Sequence, residues 1–339
     1  MRDEFDYPVS NTFGIKAKAA HFVEYGVVDE LRAVVRREAC GAEVLHVGAG
    51  SNLLFLSDFD GLVLHSAIRG IEVEECGGET VKLRVGAGVV WDALVAHCVA
   101  HGWHGLENLS LIPGEVGAAA VQNIGAYGAE AKDVITAVET VDLRTGAVRV
   151  FDVAECGYAY RKSVFKTDLR GRYAVTHVRM TLSRRFSPDL EYGGVRDALR
   201  LAGVEPERVT PQQLRDAIIS IRQAKLPDPK VQGNAGSFFM NPVVERSVYE
   251  RICDEFPAVP HYEAGEGNVK IPAGWLIEQC GWKGRALGPA AVHDKQALVL
   301  VNLGGATGQD ILRLCEAVRS DVRERFGIEL CPEVNMIGK

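Results

Sequence analysis

A chain of 339 residues, 47% apolar and 24% charged, is not a disordered polymer and is long enough for two or three domains with their own cores. Its 38 basic and 45 acidic residues leave a formal charge of -7 with no lysine or arginine block, so nucleic acid is not an expected partner; anionic small molecules remain open, because local amides and cations decide such sites. The opening MRDEFDYPVS lacks the apolar core of a signal peptide and no later run reaches the ~18 apolar residues of a membrane helix, so the expected location is the cytoplasm, without membrane insertion.

In chain order, the apolar spacing predicts a helix from Val28 to Arg37, a strand from Glu43 to Val47, a glycine turn over Gly48–Asn52 and apolar chain again over Leu53–Leu56. A second pass of the same kind follows, with a strand at Val81–Val85, a turn at Gly86–Gly88 and a helix at Trp91–His101. The echoed VGAG is read as two strand-end turns, not as a repeat. Residues Leu109 to Gly128 hold four glycines and a proline, too many for one continuous helix and too apolar for a solvated linker; a buried loop against a ligand is expected. Strands are predicted at Val134–Leu143, Val148–Asp152 and Tyr173–Leu182, and a helix at Pro211–Ala224. Past a boundary near residue 222 and the two prolines of KLPDPK, a last α/β portion runs to about Leu330, with helices at Gly274–Cys280 and Gln309–Phe326.

Eight cysteines (Cys40, Cys76, Cys98, Cys156, Cys253, Cys280, Cys315 and Cys331) form no C-x-x-C pair and are expected to be reduced thiols. His97 and His101 sit four apart in the predicted helix with His104 nearby, yet capping or a surface patch is the better reading and no metal is expected. Gly48-x-Gly50-Ser51-Asn52 is not a Rossmann fingerprint, since Leu53 stands where a third glycine belongs and no long helix follows. Alone, such a turn is more often structural. Paired with the glycine-rich 109–128 stretch it suits a large anionic cofactor held by backbone amides. Gly233–Phe239 sets Ser237 between glycines and two aromatic rings without spelling a hydrolase elbow, so its serine is open to a proton-donor role. Tyr158–Ser163 and Leu330–Val334 place Arg161, Lys162 and Glu333 in settings that are, taken singly, core-edge or surface charges.

Together these segments resemble the UDP-N-acetylenolpyruvoylglucosamine reductase (UDP-N-acetylmuramate dehydrogenase) family over nearly the whole chain. The matching words are NTFGI at 11–15, GAGSNLLF at 48–55, GLENLSLIPGEVGAAAVQNIGAYG at 105–128, YRKSVFK at 160–166, KLPDPK at 225–230, GNAGSFFMNPVV at 233–244, AGWLIEQCGWKG at 273–284 and CPEV at 331–334. The resemblance implies a vanillyl-alcohol-oxidase-like α/β fold: FAD-binding subdomains over 1–70 (with 331–339 returning to it) and 71–221, and a substrate domain over 222–330. It implies tightly, non-covalently bound FAD, held by Gly48, Gly50, Ser51 and Asn52 and lined by Pro113, Gly114, Gly117, Gln122, Asn123 and Gly125, with NADPH as hydride donor.

The implied reaction has two halves: NADPH reduces the flavin, and the reduced flavin delivers hydride to the β-carbon of UDP-N-acetylglucosamine enolpyruvate, a step of peptidoglycan precursor synthesis. By that resemblance Arg161 and Glu333 serve the substrate carboxylate while Ser237 protonates the α-carbon, and Tyr192, Arg222, Lys225, Asn241 and Gln296 bind the rest of the substrate. The loop Ser187–Gly194, with Gly193 and Gly194 beside Tyr192, places the chain in the type I subgroup and suggests a lid. Two departures from the family pattern are GAGS for GEGS and Met240 where a lysine follows FF in some relatives. A monomer is expected. Two other readings are an FAD-dependent oxidase of the same fold and a catalytically inactive nucleotide-sugar sensor.

Overall fold

The computed structural model describes residues 7–38, 43–192 and 194–338. Cys40, Gly193 and the opening MRDEFD therefore lie outside the described residues. The chain divides into two compact units, one built from Ala19–Ala49 and Asp60–Ala224, the other from Pro8–Lys18, Gly50–Phe59 and Lys225–Lys339.

The first unit is organised by a five-stranded antiparallel sheet in the order Val148–Asp152, Ile135–Asp142, Tyr173–Ser183, Thr80–Gly86, Ile71–Gly77. Its central strand Tyr173–Ser183 is buried along almost its whole length, whereas the edge strand Ile71–Gly77 (IEVEECG) is exposed and charged, which keeps that edge from recruiting another chain. Against the sheet pack α2 (Trp91–Ala100) and the short α3 (Val116–Gln122), contributing Trp91, Leu94, Val95, Val116 and Ala120 to one core. A smaller sheet pairs Val44–Val47 in parallel with Phe59–Ser66, and α1 (Val28–Glu38) supplies Leu31 and Val35 to its core. Another helix, α4 (Val195–Leu201), packs with α5 (Pro211–Lys225) through Val195, Leu199, Leu214, Ala217 and Ile218. The start of α5 follows from sequence: Pro211 takes the first helical position, and Thr210 and Gln213 exchange side-chain-to-backbone bonds across it.

In the second unit a four-stranded sheet runs in the order Asn234–Ser237, Val299–Asn302, Ala290–Val292, Ala286–Leu287, and a three-stranded one in the order Val243–Glu245, Asn268–Lys270, Tyr262–Glu263. Three helices accompany them: α6 (Arg246–Glu255), α7 (Ala273–Gln279) and α8 (Gly308–Phe326). The longest, α8, carries both end signals, a Thr307–Asp310 capping box and Gly327 in the left-handed region, and buries the stripe Ile311, Leu314, Cys315, Val318, Val322 and Phe326. The chain end returns as Asn335–Ile337, pairing in parallel with Leu53–Phe55.

Candidate functional site

Among the described residues, only four non-glycine residues have positive φ: Leu111, Asn123, Tyr127 and Arg161. Three lie in the glycine-rich 109–128 stretch, and the fourth is bonded to it. Such conformations cost of order 1–3 kcal/mol each and persist only where surrounding contacts fix them. The expected buried loop contains the seven-residue α3, because the run Gly117-Ala118-Ala119-Ala120 is compact enough to coil between the glycines.

The contacts that fix this backbone can be traced. Asn123, fully buried, donates through Nδ2 to Ala159 O at 3.0 Å and Glu130 Oε2 at 3.1 Å, and its Oδ1 accepts from Lys132 N at 3.0 Å. Arg161 occupies the tight reversal closed by the Ala159–Lys162 bridge, and its guanidinium donates to Gly125 O at 2.6 Å and Asn123 O at 3.5 Å. Leu111 donates its N–H to Asp92 Oδ1 at 2.5 Å, and its carbonyl accepts from Arg222 Nε at 3.3 Å. Asp92 is gripped by both guanidinium nitrogens of Arg215, at 2.7 and 2.8 Å. Asn108 Nδ2 holds Tyr127 O at 2.7 Å and Asp189 O at 3.0 Å, tying the start of the Tyr192 loop to the strained Tyr127 backbone.

The charges here are set by burial and by one another. Burial pushes the Arg222 guanidinium below the usual arginine range, opposed by Tyr127 and Asp92 and reinforced by repulsion from Arg161. Burial pushes the Tyr127 hydroxyl up, with Arg222 pulling the other way. On Asp92 burial works to raise the carboxyl, but Arg215, the Leu111 N–H and Arg222 together outweigh it and hold the group below the ordinary carboxylate range. This corner of the first unit therefore gathers Arg161, Arg222 and Tyr127 over a fixed backbone, a setting that favours an anion.

In the second unit the part of the glycine turn from Gly50 onward and two of the predicted catalytic residues lie on paired segments. Gly50 has φ +66 and runs so close to residues 10–11 that an added Cβ would lie 2.3 Å from Ser10 O. Thr12 N donates to Gly50 O at 3.2 Å, and Thr12 Oγ1 is buried without a hydrogen-bond partner. Asn52 Nδ2 donates to Glu333 O at 3.3 Å, and Asn52 O accepts from Asn335 N at 3.0 Å. Glu333 N in turn donates to Phe238 O and Met240 N to Cys331 O, so the Cys331–Glu333 segment runs beside Ser237–Met240. Ser237 and Glu333 thus stand on adjacent paired segments, with Asn52 tied to the second. Asn241 Oδ1 accepts from Ala273 N at 2.9 Å, so its side chain serves the start of α7, and an added Cβ on the neighbouring Gly274 would lie 3.2 Å from Gln296 Oε1. Lys225 is the exposed last residue of α5. Pro113, Gly114, Gly117 and Gln122 surround the start and end of α3, and Tyr192 is half-exposed beside Gly128.

The sequence reading did not single out Asp92, Arg215, Glu115 or His65. A faint signal exists for one: Arg215 sits in the apolar stripe of α5 among Leu214, Ala217 and Ile218, where an unpaired arginine would not be tolerated. His97 and His101 stack on each other at 4.0 Å beside Trp103, while His104 bonds Glu107, so the three histidines do not converge. All seven cysteines among the described residues are free thiols.

A family model described as FAD binding domain matches residues 19–152, and one described as UDP-N-acetylenolpyruvoylglucosamine reductase, C-terminal domain, matches residues 228–337. Thr12 Oγ1, an orphaned buried polar atom on the segment bonded to Gly50, fits such a cofactor. These matches and the mixed α/β fold define an FAD-dependent oxidoreductase. UDP-N-acetylenolpyruvoylglucosamine reductase of Bacteroides fragilis is 54% identical over 99% of this chain and 100% of its own length, and that of Porphyromonas gingivalis is 48% identical over 98% of each. The crystal structure of UDP-N-acetylenolpyruvylglucosamine reductase from Thermus caldophilus matches with a TM-score of 0.66 at 25% identity, covering 97% of this chain and 96% of that one. The chain belongs to the UDP-N-acetylenolpyruvoylglucosamine reductase family.

Proposed function

We propose that this protein uses NADPH to reduce the enolpyruvyl group of UDP-N-acetylglucosamine enolpyruvate to UDP-N-acetylmuramate, a step of peptidoglycan precursor synthesis. The full-length identity to enzymes of that name supports the substrate, and the pairing of the Ser237 segment with the Glu333 segment is the structural observation that carries the chemistry. FAD, when bound, supplies the hydride relay from NADPH to the substrate's β-carbon. Gly48, Gly50, Ser51 and Asn52 would hold its phosphates, and Pro113, Gly114, Gly117, Gln122, Asn123 and Gly125 would line its cleft. Since the side-chain amide of Asn123 is spent on Glu130, Ala159 and Lys132, that residue's part is to shape the backbone.

Hydride addition at the β-carbon leaves negative charge at the α-carbon, delocalised into the substrate carboxylate. Arg161, fixed by Gly125 O, would stabilise that charge without having to reorganise, and Glu333 is its companion at the carboxylate. Ser237 donates its hydroxyl proton to the α-carbon, a transfer a hydroxyl can make to so basic a centre when placement supplies the rest. Arg222, Lys225, Asn241 and Gln296 would bind the diphosphate and uridine, with Tyr192 on a type I loop folding over the substrate. The subdomain division at about 70 and 221, the monomeric state and the cytoplasmic location complete the proposal; no helix among the described residues is long and apolar enough to cross a membrane. Stopped-flow measurement of the two half-reactions tests the reading: oxidation of the reduced enzyme must require the enolpyruvyl UDP-sugar, and oxygen as the sole effective acceptor would point to an oxidase instead.

A further inference from the structure

The glycine turn rests on a charged cluster to which neither the resemblance nor the proposed reaction assigns a task. An added Cβ on Gly48 would lie 3.2 Å from Glu115 Oε2, so the turn and this carboxylate are in close contact. The Glu115 side chain is only 7% exposed. Both its oxygens lie 3.2 Å from His65 Nε2, and Arg69 approaches at 3.9 Å. His65 Nδ1 meets Glu24 Oε2 at 2.8 Å. An imidazole with a carboxylate at each nitrogen satisfies both only as the doubly protonated imidazolium, because the neutral ring must turn a lone pair toward one of them.

We infer that His65, Glu115 and Arg69 are positioning residues that hold the Gly48 turn and set the charge beneath the cofactor's diphosphate. This rests on the reading that the turn holds FAD phosphate. With His65 protonated, Glu24, Glu115, His65 and Arg69 sum to zero. Loss of the proton leaves a net negative charge under the turn and releases one of the two carboxylates, and both changes disfavour a diphosphate.

The groups facing His65 decide the pH range. The bond to Glu115 raises its pKa, burial opposes this, and the bond to Glu24 adds to the rise. His46, on the neighbouring strand, is pushed down to about 4 by burial and by repulsion from His65, and so stays neutral above pH 6. Burial raises the Tyr25 hydroxyl, so that group stays protonated. Across pH 6–9 His65 is therefore the group of this cluster that changes charge, and FAD affinity should fall as pH rises through its folded pKa.

The test is the FAD dissociation constant of the holoenzyme, read by recovery of flavin fluorescence on dilution at pH values from 6 to 9. The wild type should weaken roughly tenfold across the range, the linkage expected if bound diphosphate raises the histidine's pKa by about one unit. His65→Gln should remove that dependence. Glu115→Gln, which deletes the buried negative charge, should bind FAD at least as tightly as the wild type at pH 6 and move the titration to lower pH. A wild-type constant that does not change with pH, or a His65→Gln protein that titrates like the wild type, overturns the inference while leaving the turn as an FAD site. A wild-type protein that takes up no FAD even on reconstitution overturns the cofactor reading itself.

Discussion

Replacing Asp92 with alanine removes the carboxylate that accepts the Leu111 N–H and both Arg215 bonds. Arg215 has only 10% of its side chain exposed and would be left without that counter-charge. Breaking a buried pair from one side costs roughly 3–5 kcal/mol, and the 28% exposure of Asp92 lowers the expected loss to about 2–3 kcal/mol. With a urea dependence of about 2–3 kcal/mol/M, the unfolding midpoint of this region should fall by roughly 1 M. The adjacent Trp91, buried and bonded through Nε1 to Leu109 O at 3.0 Å, is one of four tryptophans whose fluorescence follows the unfolding. Because the folded-state pKa of Asp92 is held low, its contribution should be present above the unfolded carboxyl pKa of about 4 and be lost as pH falls through the folded value. A midpoint shift below about 0.3 M, or one that persists undiminished in acid, would refute the view that Asp92 props the strained Leu111 backbone.

Other substitutions test separate parts of the account. Ser237→Ala should slow oxidation of the reduced enzyme by substrate by roughly 10²-fold or more while flavin reduction by NADPH is preserved; equal losses in both halves remove the proton-donor role. Asn123→Ala deletes a buried side chain with three hydrogen bonds at a left-handed position and should cost about 3 kcal/mol in denaturant unfolding, with a loss below 1 kcal/mol counting against its structural part. Gly308→Ala would put a Cβ 1.8 Å from Phe55 O, so the start of α8 must shift; thermal unfolding should begin several degrees lower, and an unchanged transition would mean that this contact relaxes freely.

Much of the secondary structure is legible because it is written in side-chain period and end signals. The helix expected at Gln309–Phe326 is α8, bounded by Thr307 and Gly327, and the strand expected at Val148–Asp152 is found with those limits. Strands were harder where period carried no signal. Phe59–Ser66 is apolar on both faces and Ile71–Gly77 exposed along almost its whole length, so neither alternates, and the antiparallel order of the large sheet depends on contacts between distant segments. Helix α6 was missed because its stripe buries only Ile252 completely. At the site, the glycine-rich words drew attention to the right segments, since glycine and strained turns leave a local mark. Asp92, Arg215, His65 and Glu115 left none: each is an ordinary charged residue whose meaning comes from a partner tens of residues away.

The central claim is tested most directly by an anaerobic visible spectrum of the purified protein, taken alone, after NADPH and after the enolpyruvyl UDP-sugar. A flavin band that bleaches with NADPH and returns only when that sugar is added is the predicted result. A band that returns only with oxygen, or a protein that shows no flavin even after reconstitution with FAD, would contradict it.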